Sequence, residues 1–271
     1  MKPTEGDTEA TRALSSRRAA VGDVVVGRNP VVEALKAGRV KRLLISNTAQ
    51  MDRAMKVLLD RAGEAGVSPE TVPPATLERL AVGTTHQGVV ALCEARTYWT
   101  LDEVLSIAKE KGEAPFLLLL DGVEDPHNLG AILRVADGAG AHGVVIPSRG
   151  ATGLTPTVFK ASAGAAEHVP VAMVGNLTEA VMHLKREQIW VGVAEADAGR
   201  PYYEERLTGP LALVLGSEGS GVSRPIAKHA DFVMHIPLKG GVSSLNVSVA
   251  TAVLAFERAR QLAQGAPARR G

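Results

Sequence analysis

Apolar residues recur along this chain in two blocks, and in each block strand patterns alternate with helix patterns. In the first block, residues 23–95, the short apolar runs VVV, VKRLLIS and GVVALC are typical of strands. The segments between them, including MDRAMKVLLDRAGEAG and PATLERLAVG, have the spacing of amphipathic helices. This block predicts a small α/β domain.

The second block covers residues 115–264 and begins with FLLLLD, a continuous apolar run typical of a strand buried on both faces. Further strand patterns follow in GVVIP, VPVAMV, IWVGVAE, LALVLG and FVMHIP, and helix patterns separate most of them. A long apolar helix from Leu245 ends the block, and its composition predicts burial on nearly every side. The alternation predicts a mostly parallel sheet covered by helices on both faces. Residues 96–114 are predicted to be a linker with one helix.

Residues 1–22 and 265–271 are polar and lack periodicity, so we predict that both ends are disordered tails. The chain has no apolar run long enough to cross a membrane and no hydrophobic segment for secretion, which favours a cytoplasmic protein. The single cysteine, Cys93, excludes an internal disulfide, and the histidines lack the spacing of a metal site. A net charge of +1 does not by itself indicate a nucleic-acid partner.

Three predicted strand ends continue into loops that are rich in glycine and polar residues. These loops are DGVEDPHNLG after FLLLL, GSEGSG after LALVL, and PLKGGVSSLN after FVMHI. Ligands of parallel sheets bind outside the carboxyl ends of the strands. We therefore expect the three loops to converge on one pocket.

In the first loop, Asn128 is predicted to cap a helix that begins at Leu129. Arg134 follows about two turns later among apolar and small residues, a setting in which arginine usually binds a carboxylate or a phosphate. A structural ion pair with Glu124 or Asp121 explains Arg134 as well as a functional role does. These residues alone leave both interpretations open.

The second and third loops differ in what they suggest. The segment Gly216–Gly221 lacks the lysine of a P-loop and the G-x-S-x-G of a nucleophile elbow, so a bare glycine turn is the simple interpretation, although it leaves Glu218 unexplained. In the third loop Ser244 is predicted to be the N-cap, with Asn246 and Ser248 on the first turns of the helix. Polar groups at the start of a helix favour a pocket for an anionic or strongly hydrogen-bonding ligand.

Together, the three loop motifs resemble those of the SpoU (TrmH-type) RNA ribose 2'-O-methyltransferases, and the resemblance extends from Asp121 to about Gln261. The segment from Val24 to Glu94, with GRNPVVEAL and THQGVVA, is similar to the L30e-like substrate-binding domain of that family. The combination most resembles the branch that methylates a guanosine ribose in 23S ribosomal RNA.

The resemblance implies a SPOUT fold, in which a parallel sheet ends in a trefoil knot, with S-adenosylmethionine as cofactor, RNA as substrate and a homodimer as the working form. It implies a cofactor site formed by Leu215, Gly216, Ile236, Leu238 and Leu245. It implies a catalytic surface formed by Asn128, Arg134, Glu218, Ser244 and Asn246. Our candidates for RNA binding in the small domain are Arg28, Asn29, Lys41, Arg42 and His86.

Several alternatives stay open at this point. The RNA could be a transfer RNA, or a ribosomal RNA methylated to give antibiotic resistance. A rival of another class is a non-catalytic RNA-binding protein with the same fold. A dinucleotide oxidoreductase is disfavoured because no G-x-G-x-x-G follows a strand. The group that accepts the 2'-hydroxyl proton is either Arg134 or an RNA phosphate.

Overall fold

The structure is a computed structural model that describes residues 24–81, 83–94, 97–196, 199–217 and 219–265. The predicted N-terminal tail, residues 1–22, and all but the first residue of the predicted C-terminal tail lie outside the described residues. The described chain forms a four-stranded and a seven-stranded sheet. None of its helices has the length and hydropathy needed to span a membrane.

The small sheet contains β1 to β4 in the order β1-β4-β2-β3. Its strands are β1 (Val24–Val26), β2 (Val40–Ser46), β3 (Pro69–Val72) and β4 (Val89–Cys93). Its helices are α1 (Arg28–Lys36), α2 (Arg53–Glu64) and α3 (Pro74–Ala81). The apolar pattern of the sequence does not predict β3, because this edge strand is mostly exposed and has no apolar alternation. Buried side chains on both faces of the sheet, such as Leu43 and Leu44, give this unit a core of its own.

The large sheet has the order β7-β6-β5-β10-β8-β11-β9, and all pairings between these strands are parallel. Its strands are β5 (Phe116–Asp121), β6 (Gly143–Pro147), β7 (Val171–Val174), β8 (Trp190–Ala194), β9 (Arg200–Pro201), β10 (Leu211–Gly216) and β11 (Phe232–His235). Its helices are α4 (Leu101–Lys111), α5 (Pro126–Gly138), α6 (Pro156–Ala161), α7 (Leu177–Arg186), α8 (Arg224–Ala227) and α9 (Val247–Ala263), with 3-10 helices at Ala165–Glu167 and Tyr202–Glu204. The predicted parallel sheet is confirmed, and the trefoil knot stays a prediction.

Helices cover both faces of the large sheet. In β5, Phe116 and Leu118 point to the face covered by α5, α6 and α9, and Leu117 and Leu119 point to the face covered by α4, α7 and α8. All four side chains are fully buried, which explains why the strand reads as a continuous apolar run. The helix α4 falls inside the predicted linker 96–114, yet its apolar side packs on this sheet. The domain boundaries stay predictions.

Both helices that begin near the predicted site start at other residues than expected. Asp125, not Asn128, caps α5, because its carboxylate accepts a hydrogen bond from the His127 backbone N–H at 2.8 Å and Pro126 suits the first helical position. The N-cap of α9 is Asn246, not Ser244.

The expectation that α9 is buried on nearly every side was also wrong. Val249 and Phe256 are each 49% exposed, and they lie seven residues apart on one face of the helix. The other face, with Leu254 and Ala255, is fully buried against the sheet.

Candidate functional site

The carboxyl ends of the large sheet's strands open into two adjoining cavities. The smaller has a volume of about 320 Å³ and lies beyond the ends of β8, β10 and β11. The larger has a volume of about 820 Å³ and lies beyond the ends of β5, β6 and β7. Ser217 and Val247 line both cavities, so the three loops predicted to converge do meet at this edge of the sheet.

The smaller cavity is lined by all five residues predicted to hold a cofactor. They are Leu215, Gly216, Ile236, Leu238 and Leu245. Ser244, a predicted catalytic residue, lines the same cavity and is exposed. Leucine and isoleucine side chains next to glycine backbone suit a ligand with a flat apolar part and hydrogen-bonding edges.

The turn after Gly216 explains why glycines recur in this loop. Ser217 and Gly221 form an antiparallel bridge, so the turn folds back over the end of β10. A Cβ at Gly216 would lie 2.0 Å from the carbonyl carbon of Gly221, so no other residue fits without a backbone shift. Gly219 and Gly221 have φ values of +91° and +66°, which residues other than glycine rarely adopt.

Two residues of the smaller cavity with acid or base side chains were not predicted. Glu195 follows β8, and His235 is the last residue of β11. The His235 Nδ1 atom is buried and has no hydrogen-bond partner among the described residues. The sequence contained a partial signal, because Glu195 ends the predicted strand IWVGVAE and His235 lies near the end of FVMHIP. Only the strand order shows that β8 lies between β10 and β11.

The larger cavity has mostly polar walls. It is lined by Asp121, Asn128, Arg149, Asn176 and Ser223, among others. The Asp121 carboxylate accepts a hydrogen bond from the Ser223 backbone N–H at 2.8 Å, which connects the end of β5 to the start of α8. The open polar walls contrast with the apolar smaller cavity and are suited to a hydrophilic substrate.

Asn128, which lines the larger cavity, contacts Asn246, the residue before Val247, and Val247 lines both cavities. The Asn246 side-chain amide donates a hydrogen bond to the Asn128 side-chain oxygen at 2.9 Å. The Asn246 oxygen accepts from the Ser248 backbone N–H at 2.9 Å and from the Ser248 hydroxyl at 2.5 Å. One amide therefore caps α9 and links its start to the first turn of α5.

Arg134 lies on α5, two turns after Asn128, and is exposed. Within the described part of the chain no ion pair with Asp121 or Glu124 is formed, and Asp121 is instead bound to the Ser223 backbone. The structure therefore gives no support to the ion-pair interpretation of Arg134. Glu218, the remaining predicted catalytic residue, lies outside the described residues.

The five candidates for RNA binding fall into two groups at opposite ends of the small sheet. Arg28 and Asn29 begin α1, and His86 precedes β4 at the same end. Lys41 and Arg42 lie at the start of β2, beside the end of β4. The structure therefore does not gather them into one patch.

Three of these five candidates, the cations Arg28, Lys41 and Arg42, already have carboxylate partners. Arg28 binds Asp52 at 2.6 Å and is only 17% exposed in its side chain. Arg42 forms two hydrogen bonds to Glu70, at 2.7 and 2.8 Å, and Lys41 pairs with Glu94. RNA phosphates would have to compete with these carboxylates.

Comparisons with known proteins identify the family of this chain. Residues 115–256 match the model of the SpoU rRNA Methylase family, and residues 24–99 match that of the RNA 2'-O ribose methyltransferase substrate-binding domain. The chain is 44% identical over 236 residues to YacO of Bacillus subtilis (strain 168), whose name assigns it to the TrmH family of tRNA/rRNA methyltransferases. That match covers 87% of this chain and 94% of YacO. A protein of Staphylococcus haemolyticus named for the same family is 42% identical, covering 86% of this chain and 94% of its own length.

Solved structures share the fold. The SpoU methyltransferase AviRb from Streptomyces viridochromogenes, in complex with AdoMet, superposes with a TM-score of 0.74 at 24% identity, covering 96% of this chain and 94% of AviRb. An AdoMet-bound rRNA methyltransferase from Sinorhizobium meliloti has a TM-score of 0.71 at 25% identity, covering 94% of this chain and 91% of its own length. The predicted family is thus confirmed, and this chain belongs to the SpoU/TrmH family of S-adenosylmethionine-dependent RNA 2'-O-methyltransferases.

Proposed function

We propose that this chain methylates the ribose 2'-hydroxyl of a guanosine in 23S ribosomal RNA. The observation that carries the proposal is the pair of adjoining cavities, one apolar and one polar, with Asn128 of the larger cavity hydrogen-bonded to Asn246, the residue before Val247, which lines both. A methyl donor in one cavity and a nucleotide in the other would place the reacting groups side by side. Action on ribosomal RNA would place the protein in the cytoplasm.

The smaller cavity fits S-adenosylmethionine. Its walls combine the side chains of Leu215, Ile236, Leu238 and Leu245 with the glycine turn after Gly216. Aliphatic side chains can enclose an adenine ring, and backbone groups can hydrogen-bond to its edge. When bound, this cofactor supplies an activated methyl group. The part of the chain that the structure describes contains no group of three or more His, Cys, Asp or Glu side chains arranged to hold a metal ion.

Positioning of the ribose is the main task left to the chain's own residues. We assign it to Asn128 and Asn246, whose mutual hydrogen bond fixes both amides beside the larger cavity, which Asn128 lines. Glu218 and Ser244 complete the proposed catalytic surface, with Ser244 at the wall of the smaller cavity.

Arg134 is assigned an electrostatic role. A guanidinium keeps its proton at any physiological pH, so it is poorly suited to remove a proton from the 2'-hydroxyl. Its exposed fork is well suited to bind an RNA phosphate and to stabilise negative charge that develops on the attacking oxygen. We therefore propose that a phosphate oxygen of the RNA accepts the proton of the 2'-hydroxyl.

A homodimer is the proposed working form, and its interface is proposed to be the exposed apolar face of α9. Val249 and Phe256 lie on this face, and the Phe256 ring lies 3.3 Å from where a Cβ would stand on Gly138 of α5. Arg134 is one helical turn before Gly138. A partner on this face would therefore cover apolar surface and lie close to Arg134.

The dimer is tested by light scattering on the wild type, Phe256→Glu and Met182→Glu. Met182 is a matched control, because it is 48% exposed on α7, on the other face of the sheet. We expect a dimer for the wild type and for Met182→Glu, and a monomer for Phe256→Glu. A monomeric wild type would refute the proposal.

The reaction is tested with tritiated S-adenosylmethionine and unmodified rRNA and tRNA transcripts, using the wild type and Arg134→Ala. We expect alkali-resistant label at a guanosine of 23S rRNA that is lost in the variant. Label in tRNA alone would show that the substrate is a tRNA and not 23S rRNA, in keeping with the tRNA/rRNA name of the Bacillus relative. Cofactor binding with no transfer to either transcript, or to ribosomal particles, would favour the non-catalytic RNA-binding protein.

A further inference from the structure

We propose that residues 156–168, the docking segment, hold the small unit (β1 to β4 with α1 to α3) in one orientation relative to α5 of the large unit, which contains the large sheet. We also propose that Glu167 and Arg39 are positioning residues for RNA methylation. The docking segment comprises α6, the 3-10 helix Ala165–Glu167 and His168. The proposal rests on the proposed function, because it concerns how RNA bound to the small unit reaches the carboxyl edge of the large sheet.

The contact between the two units has a charged centre. The Glu167 side chain belongs to the large unit and is fully buried, and it binds the guanidinium of Arg39 from the small unit. Arg39 also donates to the backbone carbonyl of Glu94 at 2.9 Å, and its guanidinium lies 5.6 Å from the centre of the Phe159 ring. The arginine is thus held by its own unit and stacked against the docking segment.

Such a pair favours one arrangement of the units over others. A buried carboxylate that loses its cationic partner is strongly destabilised, so a rotated small unit would leave Glu167 in an unfavourable state. The planar guanidinium can satisfy Glu167 and the Glu94 carbonyl together only in a narrow range of positions. The ion pair therefore defines an orientation in addition to joining the two units.

A second contact lies at the rim of the interface between the two units. His168 and Glu33 of α1 are 3.0 Å apart, and the backbone of Gly164 packs so closely on Glu33 that a Cβ at Gly164 would lie 2.3 Å from its Cγ. Burial raises the pKa of Glu33, but hydrogen bonds from Lys36 and His168 outweigh this and hold it below its ordinary value. The rim carboxylate is therefore ionised at neutral pH.

The docking segment also contacts the helix that carries the proposed catalytic residues. Gly130 of α5 packs directly on α6, and a Cβ there would lie 2.4 Å from the Cβ of Ala161. Phe159 shares a core with Ile132 and Leu133 of α5. Rigid packing thus connects Arg39, through the docking segment, to the helix that carries Asn128 and Arg134.

Glu167→Gln tests the proposal, because it keeps the shape of the side chain and removes its charge. Glu64→Gln is the matched control, because Glu64 pairs with Arg61 on the exposed surface of α2, away from the contact between the units. Glu33→Gln weakens only the partly exposed contact with His168 at the rim. It is the second test variant, to be used if Glu167→Gln does not fold. The readouts are the Kd of S-adenosylmethionine, kcat and KM for the RNA, and amide hydrogen exchange.

We expect Glu167→Gln to raise KM for the RNA about tenfold. The Kd of the cofactor should not change, and amides of residues 31–39 and 159–168 should exchange faster. Glu33→Gln should shift KM in the same direction by a smaller factor, and Glu64→Gln should leave all readouts unchanged. A defect of folding alone would instead reduce cofactor binding and kcat together.

Two results would overturn the proposal. Unchanged exchange in both Glu167→Gln and Glu33→Gln would show that these contacts do not hold the units together. Faster exchange with an unchanged KM would show that docking does not position RNA. A wild type that methylates no RNA would refute the proposed function and with it the positioning role, whereas hydrogen exchange would still decide whether the units are docked.

Discussion

The two edges of the large parallel sheet use polar residues in opposite ways. At the amino edge, side chains bind the backbone where strands begin. His142 is buried and its Nδ1 accepts a hydrogen bond from the Phe116 N–H at 3.0 Å, and Asp231 accepts from the Val191 N–H at 2.8 Å. These side chains form hydrogen bonds to the backbone and so stabilise the fold itself.

Arg258 extends this pattern from α9. Its buried guanidinium donates to the Gly209 carbonyl at 3.1 Å and lies 4.5 Å from the centre of the Phe116 ring. Burial lowers the pKa of Arg258 to about 10. A charged group has been desolvated at this edge, and it serves to hold α9 against the sheet.

At the carboxyl edge, polar residues line cavities or face solvent. Asn128 and Asn246 bind each other beside two cavities, and Arg134 is exposed. The difference between the edges shows that one sheet separates stability from chemistry, as expected where loops at the carboxyl ends carry the ligand. Substitutions at the carboxyl edge should therefore impair binding or turnover, and those at the amino edge should impair stability.

Arg134→Ala should give the largest effect at the carboxyl edge. Loss of a group that stabilises transition-state charge lowers kcat by about 10²–10³-fold. Thermal stability should not change, because the side chain is exposed. Single-turnover methylation at saturating RNA measures the effect, and Arg134→Lys shows whether the guanidinium fork is needed. Turnover of Arg134→Ala close to that of the wild type would remove Arg134 from the site.

Gly216→Ala should weaken cofactor binding. The new Cβ would stand 2.0 Å from the Gly221 carbonyl carbon, so the turn that walls the smaller cavity must move. Overpacking of about 1–3 kcal/mol corresponds to a rise in Kd of about five- to 150-fold, which calorimetry measures. Gly240→Ala is the control, because a Cβ at Gly240 meets nothing within 4 Å. Equal Kd values for the two variants would contradict this account of the turn.

Most of the fold could be predicted from the sequence, because buried parallel strands such as FLLLLD have an unmistakable apolar pattern. The edge strand β3 has no such pattern and was missed. The sequence predicts Ser244 as the N-cap of α9, whereas the N-cap is Asn246, because serine and asparagine are equally good N-caps and only the backbone geometry decides between them.

The site was predicted to a lesser extent. The cofactor candidates meet in one cavity because Leu215 and Gly216 end β10, and Ile236, Leu238 and Leu245 belong to the loop that follows the nearby strand β11. The RNA-binding candidates do not meet, because His86 and Lys41 lie at opposite ends of β4 despite belonging to the same small unit. Sequence identifies cations but not their carboxylate partners, and the contact between Arg39 and Glu167 joins residues far apart in the chain.

Asn246→Asp should have a smaller effect at the carboxyl edge. Aspartate keeps an oxygen to cap α9 but loses the N–H that donates to Asn128. Loss of one hydrogen bond of about 0.5–1.5 kcal/mol should lower kcat by about two- to thirteenfold. Asn246→Ala, which also removes the cap, should in addition lower the melting temperature. Unchanged kcat in Asn246→Asp would show that the link between the amides does not position the substrate.

The smallest effect on turnover is expected at the amino edge, from His142, which should affect stability instead. Burial lowers the pKa of His142 below 6.5, although a hydrogen bond with Glu113 acts in the opposite direction. The unfolded state therefore binds a proton more readily as the pH falls below 6.5, and the free energy of unfolding should fall by up to about 1.4 kcal/mol for each pKa unit of depression. Above that pH the contribution is fully present.

The comparison variant is His142→Asn, whose side-chain oxygen can still accept from the Phe116 N–H but does not titrate. Urea unfolding between pH 7.5 and 5.5 should show a steeper loss of stability for the wild type than for the variant. At pH 7.5 kcat should be equal in both, because His142 lies at the edge of the sheet opposite to the cavities. Parallel stability profiles would mean that protonation of His142 is not resisted by the fold. A lowered kcat in a stable variant would break the separation of stability from chemistry between the two edges.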